Sequence, residues 1–320
     1  MSYRQLAAKY VRRQAKLLAK QLDGVRAAED IEFVHRARVA TRRLRAALKM
    51  FAPCFAKKKV KRWRNAMRQV AASLGDARDR DVQIDFLCGT LSSLAAKECF
   101  PGVARVLVQL ERDRERLQRK VVRAVNRLEA EGTLRAMRRA AGRVLAKASA
   151  SAEGSSEGSP LPKACEPPEQ HILRRLAALQ KYQACLADPT DCRRHHAMRI
   201  AAKRLRYTLE ILRPLYPCRL DECVEATKTL QSLLGEIHDS DVWADHLAAF
   251  AAVEYDRILK MFGHAGRFLH LHPGIVFLQE DRLRHRRQTF EKLAEYWAEL
   301  DRRRFWDQLR TAVHVDLPPF

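Results

Sequence analysis

Apolar residues recur along most of the chain at spacings of three and four, the period of an amphipathic helix. Long runs of Ala, Leu, Arg, Glu and Gln bring intrinsic propensity into agreement with that period. The pattern predicts helices over about 3–22, 31–52, 58–74, 79–95, 101–129 and 133–149. A second set is predicted over about 171–187, 191–213, 219–234, 239–252, 254–271 and 275–313. No run of alternating β-branched residues competes with these, so the expected fold class is all-α. Between the two sets lies a stretch rich in Ser, Gly and Pro, from Ser149 through Gly154 and Gly158 to Pro167-Pro168, with six of the chain's 24 Gly and Pro. Such composition stays solvated. It predicts a flexible linker over 150–170, separating an N-terminal bundle (1–149) from a C-terminal one (171–320).

The two sets repeat one another. His35-Arg36-Ala37-Arg38-Val39-Ala40-Thr41-Arg42-Arg43-Leu44-Arg45 aligns with His196-Ala197-Met198-Arg199-Ile200-Ala201-Ala202-Lys203-Arg204-Leu205-Arg206, and six of the eleven positions are identical. A second block follows in each half: Leu74-Gly75-Asp76-Ala77-Arg78-Asp79-Arg80-Asp81-Val82 against Leu234-Gly235-Glu236-Ile237-His238-Asp239-Ser240-Asp241-Val242. The histidine precedes the Leu-Gly pair by 39 residues in the first half and 38 in the second. Pro53 and Pro214 end the basic helix at matching places, and Asp30 and Asp191 stand where each helix needs an N-cap. Each Leu-Gly pair is expected to end a helix, with Asp79 and Asp239 capping the next.

On a helix, His35, Arg38, Arg42 and Arg45 fall on one face, as do His196, Arg199, Lys203 and Arg206. Arg43 and Arg204 widen each ladder. An apolar stripe runs beside it: Val34, Ala37, Thr41, Leu44, Leu48 and Phe51 in the first half, and His195, Met198, Ala202, Leu205, Leu209 and Leu212 in the second. Each helix is thus predicted to bury one side and to present a row of cations on the next. Like charges four residues apart cost a few tenths of a kcal/mol per pair on an isolated helix, roughly, so a ladder repeated in both halves points to an anionic partner.

Charge raises the same question for the whole chain. Lys and Arg number 61 against 38 Asp and Glu, a formal net charge of +23, and Arg supplies 44 of the 61. Genome bias toward Arg would explain the total but not its placement. Hydrophobic residues make up 47% of the chain, which rules out a disordered basic tail. Asp79, Asp81, Asp239 and Asp241 could pair with the ladders and orient them, but four carboxylates do not neutralise ten or more cations. A guanidinium fork grips phosphate oxygens bidentately, which makes a phosphate-bearing polyanion the expected partner.

Other classes are less well served. The eight cysteines include no Cys-x-x-Cys pair, and no metal or other cofactor is expected. No Walker loop or Cys-x5-Arg phosphatase loop occurs. Asp79-Arg80-Asp81 follows Leu-Gly and a helix rather than an apolar strand, so aspartyl-phosphate chemistry is not expected. The alternatives are a phosphoanhydride hydrolase using Asp79/Asp81 and Asp239/Asp241 with a divalent metal, and a nucleic-acid-binding protein. Nucleic acid is disfavoured because the ladders carry no aromatic residues between their cations on which bases could stack. No apolar run spans a bilayer and no apolar secretory segment opens the chain, so no membrane partner is expected and the expected location is the cytoplasm.

The doubled pattern His-x-x-Arg-Val/Ile-x-x-Arg/Lys-Arg-Leu-Arg, then Leu-Gly-x-x-x-Asp-x-Asp-Val, resembles the CHAD family, the conserved histidine α-helical domain. The resemblance runs from about Ser2 to about Leu309. It implies two antiparallel helical bundles related by a pseudo-twofold axis, with basic helices lining a groove or pore between them. It also implies non-catalytic binding of inorganic polyphosphate and association with polyphosphate granules. Carried over position by position, the contacts would be His35, Arg38, Arg42, Arg43 and Arg45 with His196, Arg199, Lys203, Arg204 and Arg206. Lys203 departs from its counterpart Arg42, keeping the charge but losing the fork. The Glu-x-Glu-x-Lys signature of the triphosphate-tunnel domain often fused to this family is absent from the sequence. Secondary basic contacts are expected from Arg64, within the run Lys57–Arg64, from the corresponding pair Arg68 and Lys228, and from Arg116.

Overall fold

The structure, a computed structural model, describes residues 1–152 and 166–314; most of the expected linker, from 153 to 165, lies outside the described residues. The described residues form twelve α-helices joined by short turns and contain no strand. In the first half these are α1 (Tyr3–Ala19), α2 (Leu22–Ala27), α3 (Ile31–Met50), α4 (Lys57–Ser93), α5 (Phe100–Ala130) and α6 (Thr133–Ala152). In the second they are α7 (Pro168–Gln180), α8 (Cys192–Leu212), α9 (Asp221–Phe262), α10 (Gly266–Leu269), α11 (His272–Arg302) and α12 (Phe305–Val313). The expected linker is shorter than 150–170 at its end, because α7 begins at Pro168, a residue pre-set for the first turn of a helix.

Local chemistry accounts for most boundaries. Ser2 and Gln5 close a capping box over the start of α1. Asp30 accepts from the Glu32 amide at 2.8 Å and Asp191 from the Arg194 amide at 2.9 Å, so both basic helices start at the expected caps. Pro53 and Pro214 lie in short 3-10 turns just beyond α3 and α8. Gly263 ends α9 in the left-handed conformation that glycine adopts without strain.

The expected breaks at Leu74-Gly75 and Leu234-Gly235 do not occur. Both long helices, α4 and α9, run straight through, so Asp79 and Asp239 sit mid-helix and cap nothing. A mid-helix glycine costs about 1 kcal/mol. Fully burying one leucine contributes roughly 1.5–3 kcal/mol, and Leu74, Ala77, Leu234 and Ile237 around these glycines are all buried. Packing outweighs propensity there.

The helices pack in the same order in both halves: α1 on α3, α3 on α4 and α4 on α5, against α7 on α8, α8 on α9 and α9 on α11. The last helix then returns to the first, α6 onto α1 and α12 onto α7. The stripes expected to be buried on α3 and α8 are buried, from Val34 to Phe51 and from His195 to Leu212. The halves do not have separate cores. One large core runs through both, and a second is built from Leu87, Val103, Val106 and Leu110 of the first half with Trp243, Leu247, Ile258, Ile275 and Leu278 of the second.

Among the contacts that join the halves are those of α3 with α8 and of α5 with α11. At the second, Pro101-Gly102 and Pro273-Gly274 open their helices back to back. A β-carbon on Gly102 would lie 2.1 Å from the Leu271 carbonyl oxygen, and one on Gly274 would lie 2.0 Å from that of Cys99. Each glycine is required by the close approach of the other's backbone.

Candidate functional site

The contact between α3 and α8 brings the two cation ladders together. Burial lowers the pKa of Arg42 despite the opposing influence of Tyr207, and the charges of Arg38 and, from the other half, Arg206 and Arg199 add to the effect. Lys203 is in the reciprocal position. Burial, with Arg42, Arg199, Arg38 and Arg45 around it, brings its pKa down to about 8. A cation so placed is short of counter-charge. Nε of Arg42 is buried and meets no hydrogen-bond acceptor among the described residues.

Carboxylates meet the ladders at two places. At the histidine end, Arg38 bonds Asp79 at 2.9 Å, and Arg199 approaches Asp239 at 3.8 Å, each Asp reaching from the long helix of the same half. Farther along, Glu210 of α8 accepts from Arg206 at 2.8 Å and from Arg43 of α3 at 3.3 Å, so it ties the two basic helices to one another. Arg43 therefore belongs to this bridge as much as to the ladder.

Asp81 and Asp241 point elsewhere. Asp81 is buried and pairs with Arg114 of α5, which also donates to Gln118 at 2.9 Å. Asp241 pairs with Arg286 of α11, which also donates to the Pro189 carbonyl at 2.6 Å. Of the four acids, then, Asp79 and Asp239 contact the ladders directly, whereas Asp81 and Asp241 fasten α4 and α9 to the next helix. Among the described residues, no three His, Cys, Asp or Glu side chains converge closely enough to hold a metal ion.

The two leading histidines have different neighbours. Burial and the charge of Arg78 lower the pKa of His35, with Arg42 and Arg38 acting in the same direction and Glu32 opposing them. His196 sits with its Nδ1 3.0 Å from Nδ1 of His238. Burial, Arg199 and His196 bring the pKa of His238 down to about 4. Arg78 and His238 occupy the same position in the second repeat block. Comparison of identities between halves passed over them because they differ.

Arg204 leaves the ladder face. Together with Arg175 and Arg64 it lies near Lys49, whose pKa burial and these charges lower. This puts the expected secondary contact Arg64 in a cation cluster shared by α3, α4, α7 and α8. The other secondary candidates are exposed and locally engaged: Arg68 with Asn65 at 2.7 Å, Lys228 with Glu225 at 3.1 Å, and Arg116 with Asp113. Room is left beside the ladders by the mid-helix glycines. A β-carbon at Gly75 would meet nothing within 4 Å, and one at Gly235 would meet the Arg199 guanidinium at 3.9 Å.

Arg114 and Arg286 carried no sequence signal. The first follows its aspartate by 33 residues and the second by 45, because the second half inserts α10 and lengthens α9. Glu210 and Tyr207 had no counterpart in the repeat.

The sequence matches the family model of the CHAD domain over residues 9–248. The structure is similar to the crystal structure of the CHAD domain from the plant Ricinus communis, with a TM-score of 0.62 at 20% identity, covering 100% of this chain and 94% of that one. It is also similar to PptA from Streptomyces chartreusis, with a TM-score of 0.58 at 17% identity over 92% of this chain and 99% of that one. These likenesses establish a shared all-α fold. No curated protein sequence matches the chain. No helix among the described residues is long and apolar enough to cross a membrane.

Proposed function

The chain belongs to the CHAD domain family, and from that premise we propose that it binds inorganic polyphosphate in a groove between α3 and α8, without catalysis. The observation that carries this reading is the reciprocal crowding of Arg42 and Lys203, each set among cations of the opposite half. A polymer of phosphates supplies the missing counter-charge to both ladders at once. Holding several phosphates of one chain simultaneously adds avidity beyond any single contact. His35, Arg38, Arg45, His196, Arg199 and Arg206 extend the contacts, Arg43 and Arg204 flank them, and Asp79 and Asp239 hold Arg38 and Arg199 extended until the anion arrives. Polyphosphate granules in the cytoplasm are the proposed location.

The test is the double charge reversal Arg42→Glu with Lys203→Glu. Binding of long-chain inorganic polyphosphate, read by fluorescence anisotropy, should fall roughly a hundredfold or more, since each charged hydrogen bond is worth about 1.5–3 kcal/mol. Far-UV circular dichroism should stay unchanged. Retained affinity would mean that the ligand uses another face. Displacement of polyphosphate by single-stranded DNA at equal phosphate concentration would shift the reading to nucleic acid. Release of phosphate in the presence of Mg²⁺, abolished by Asp79→Asn with Asp239→Asn, would replace it with hydrolysis.

A further inference from the structure

The histidine end of the second ladder contains a pair of which the binding reading uses only His196. His196 and His238 lie with ring centroids 4.3 Å apart and planes at 51°, their Nδ1 atoms 3.0 Å from one another. At that separation one Nδ1 donates and the other accepts. With both rings neutral, one Nε2 carries a hydrogen and the other is a bare acceptor. One added proton keeps the inner bond and places N–H groups on both Nε2 atoms. A second would set two N–H groups against each other across 3.0 Å. The closed pair therefore has room for one proton.

Burial and the surrounding charges disfavour that added proton on His238. Arg199 on α8 faces the pair, and Asp79 on α4 and Asp241 on α9 are the acids that act on His238. Asp79 is bonded to Arg38 of α3, Asp241 to Arg286 of α11, and Asp239 approaches Arg199, so each nearby carboxylate already has an arginine. Cys192 of α8 lies against Asp241 and Arg286, and the other acid on this stretch of α9, Glu236, lies 3.5 Å from His285 of α11. In the first half the place of His238 is taken by Arg78, which is charged at every working pH and whose buried Nη1 meets no acceptor among the described residues.

Resting on the polyphosphate reading above, we propose that His196 and His238 form a single-proton clamp for one phosphate group of the bound chain. The incoming anion draws one proton from solvent onto the pair, turning its acceptor Nε2 into a second donor. At this position of the repeat the first half is thus permanently cationic through Arg78, and the second becomes so only when occupied. Bound negative charge favours the protonated imidazole in the same way that Arg199 disfavours it in the empty site.

Titration calorimetry of the intact protein with long-chain inorganic polyphosphate tests this, run at pH 7 in buffers of unlike ionisation heat. The interior phosphates of the polymer do not titrate in this range, so uptake reports on the protein. About one proton should be taken up per bound segment, and affinity should rise as pH falls, by up to about tenfold per pH unit. His238→Arg, which copies the first half, should lower the uptake by about one proton, lessen the pH dependence below pH 8 and bind more tightly than the native protein at pH 8. Arg78→His should add a second uptake. Binding without uptake, or uptake undiminished in His238→Arg, would overturn the clamp and leave the polyphosphate reading standing; absence of binding at every pH would overturn both. Should the variants fail to fold, NMR titration of the two imidazoles in the native protein keeps the test. Both should titrate at higher pH with polyphosphate present, and an unchanged titration would refute the clamp.

Discussion

The two halves present nearly the same cations on α3 and α8 but support them differently. In the first, Asp81 is sealed from solvent and its Arg114, less deeply buried, also donates to Gln118; in the second, Asp241 is a fifth exposed and its Arg286, the more deeply buried arginine, also donates to the Pro189 carbonyl. The first half leads with His35 beside a permanent cation, the second with His196 beside another histidine. The equivalent helices therefore differ in how much each depends on a single ion pair, and in whether their charge responds to pH.

The difference in ion pairs predicts the largest effects. Asp241→Ala leaves the buried Arg286 charged with only neutral partners, and should destabilise by about 3–5 kcal/mol in chemical denaturation. Asp81→Ala should cost less, roughly 1–3 kcal/mol, because Arg114 is less deeply buried and keeps Gln118. Equal losses would erase the distinction between the halves.

Next comes the contact that joins them. Gly102→Ala places a methyl group against the Leu271 carbonyl, and overpacking of this kind costs about 1–3 kcal/mol. Gly274→Ala should behave alike, because the approach is reciprocal. A thermal melt in which only one substitution matters would show that the crossing is not symmetric in energy.

The charge on Lys203 predicts a smaller and pH-dependent effect. Above pH about 8 the side chain sheds its proton in the empty site, so polyphosphate affinity should weaken there, whereas Lys203→Arg should hold its affinity into more alkaline solution. Matching curves would mean that Lys203 does not contact the ligand.

Acid stability carries a further effect, confined to low pH. In the fold His238 titrates at about 4 against an ordinary 6.5, so between these values the unfolded chain binds more protons than the folded one. The contribution of neutral His238 is fully present above pH 6.5 and is lost as pH falls toward 4. The melting temperature should decline over that window in the native protein, and less steeply in His238→Arg.

The parts of the fold written in local chemistry were legible from the sequence. The caps at Asp30 and Asp191, the stops before Pro53 and Pro214, the buried stripes and the cation rows all follow from spacing along single helices. The glycines at 75 and 235 misled, because a local helix-breaker was weighed without the buried leucines beside it. What stayed hidden depends on partners far apart in the chain. Asp81 finds Arg114 and Asp241 finds Arg286 at unequal separations, and Arg78 and His238 differ in identity, so a search for matched residues passes over them. The second core, shared by α4, α5, α9 and α11, likewise has no signature within one helix.

That shared core bears on how the chain comes to be folded as it is made. Leu87, Val103, Val106 and Leu110 are covered by residues that begin at Trp243, so this apolar surface emerges from the ribosome well before its partners exist. Gly102 waits still longer for Gly274. Contacts of such sequence separation form late and slowly, and an uncovered apolar surface in the interval invites association with other chains. A first half released on its own would present that surface permanently. Coupling the halves through a common interior makes completion of the whole chain a condition for keeping either part in solution.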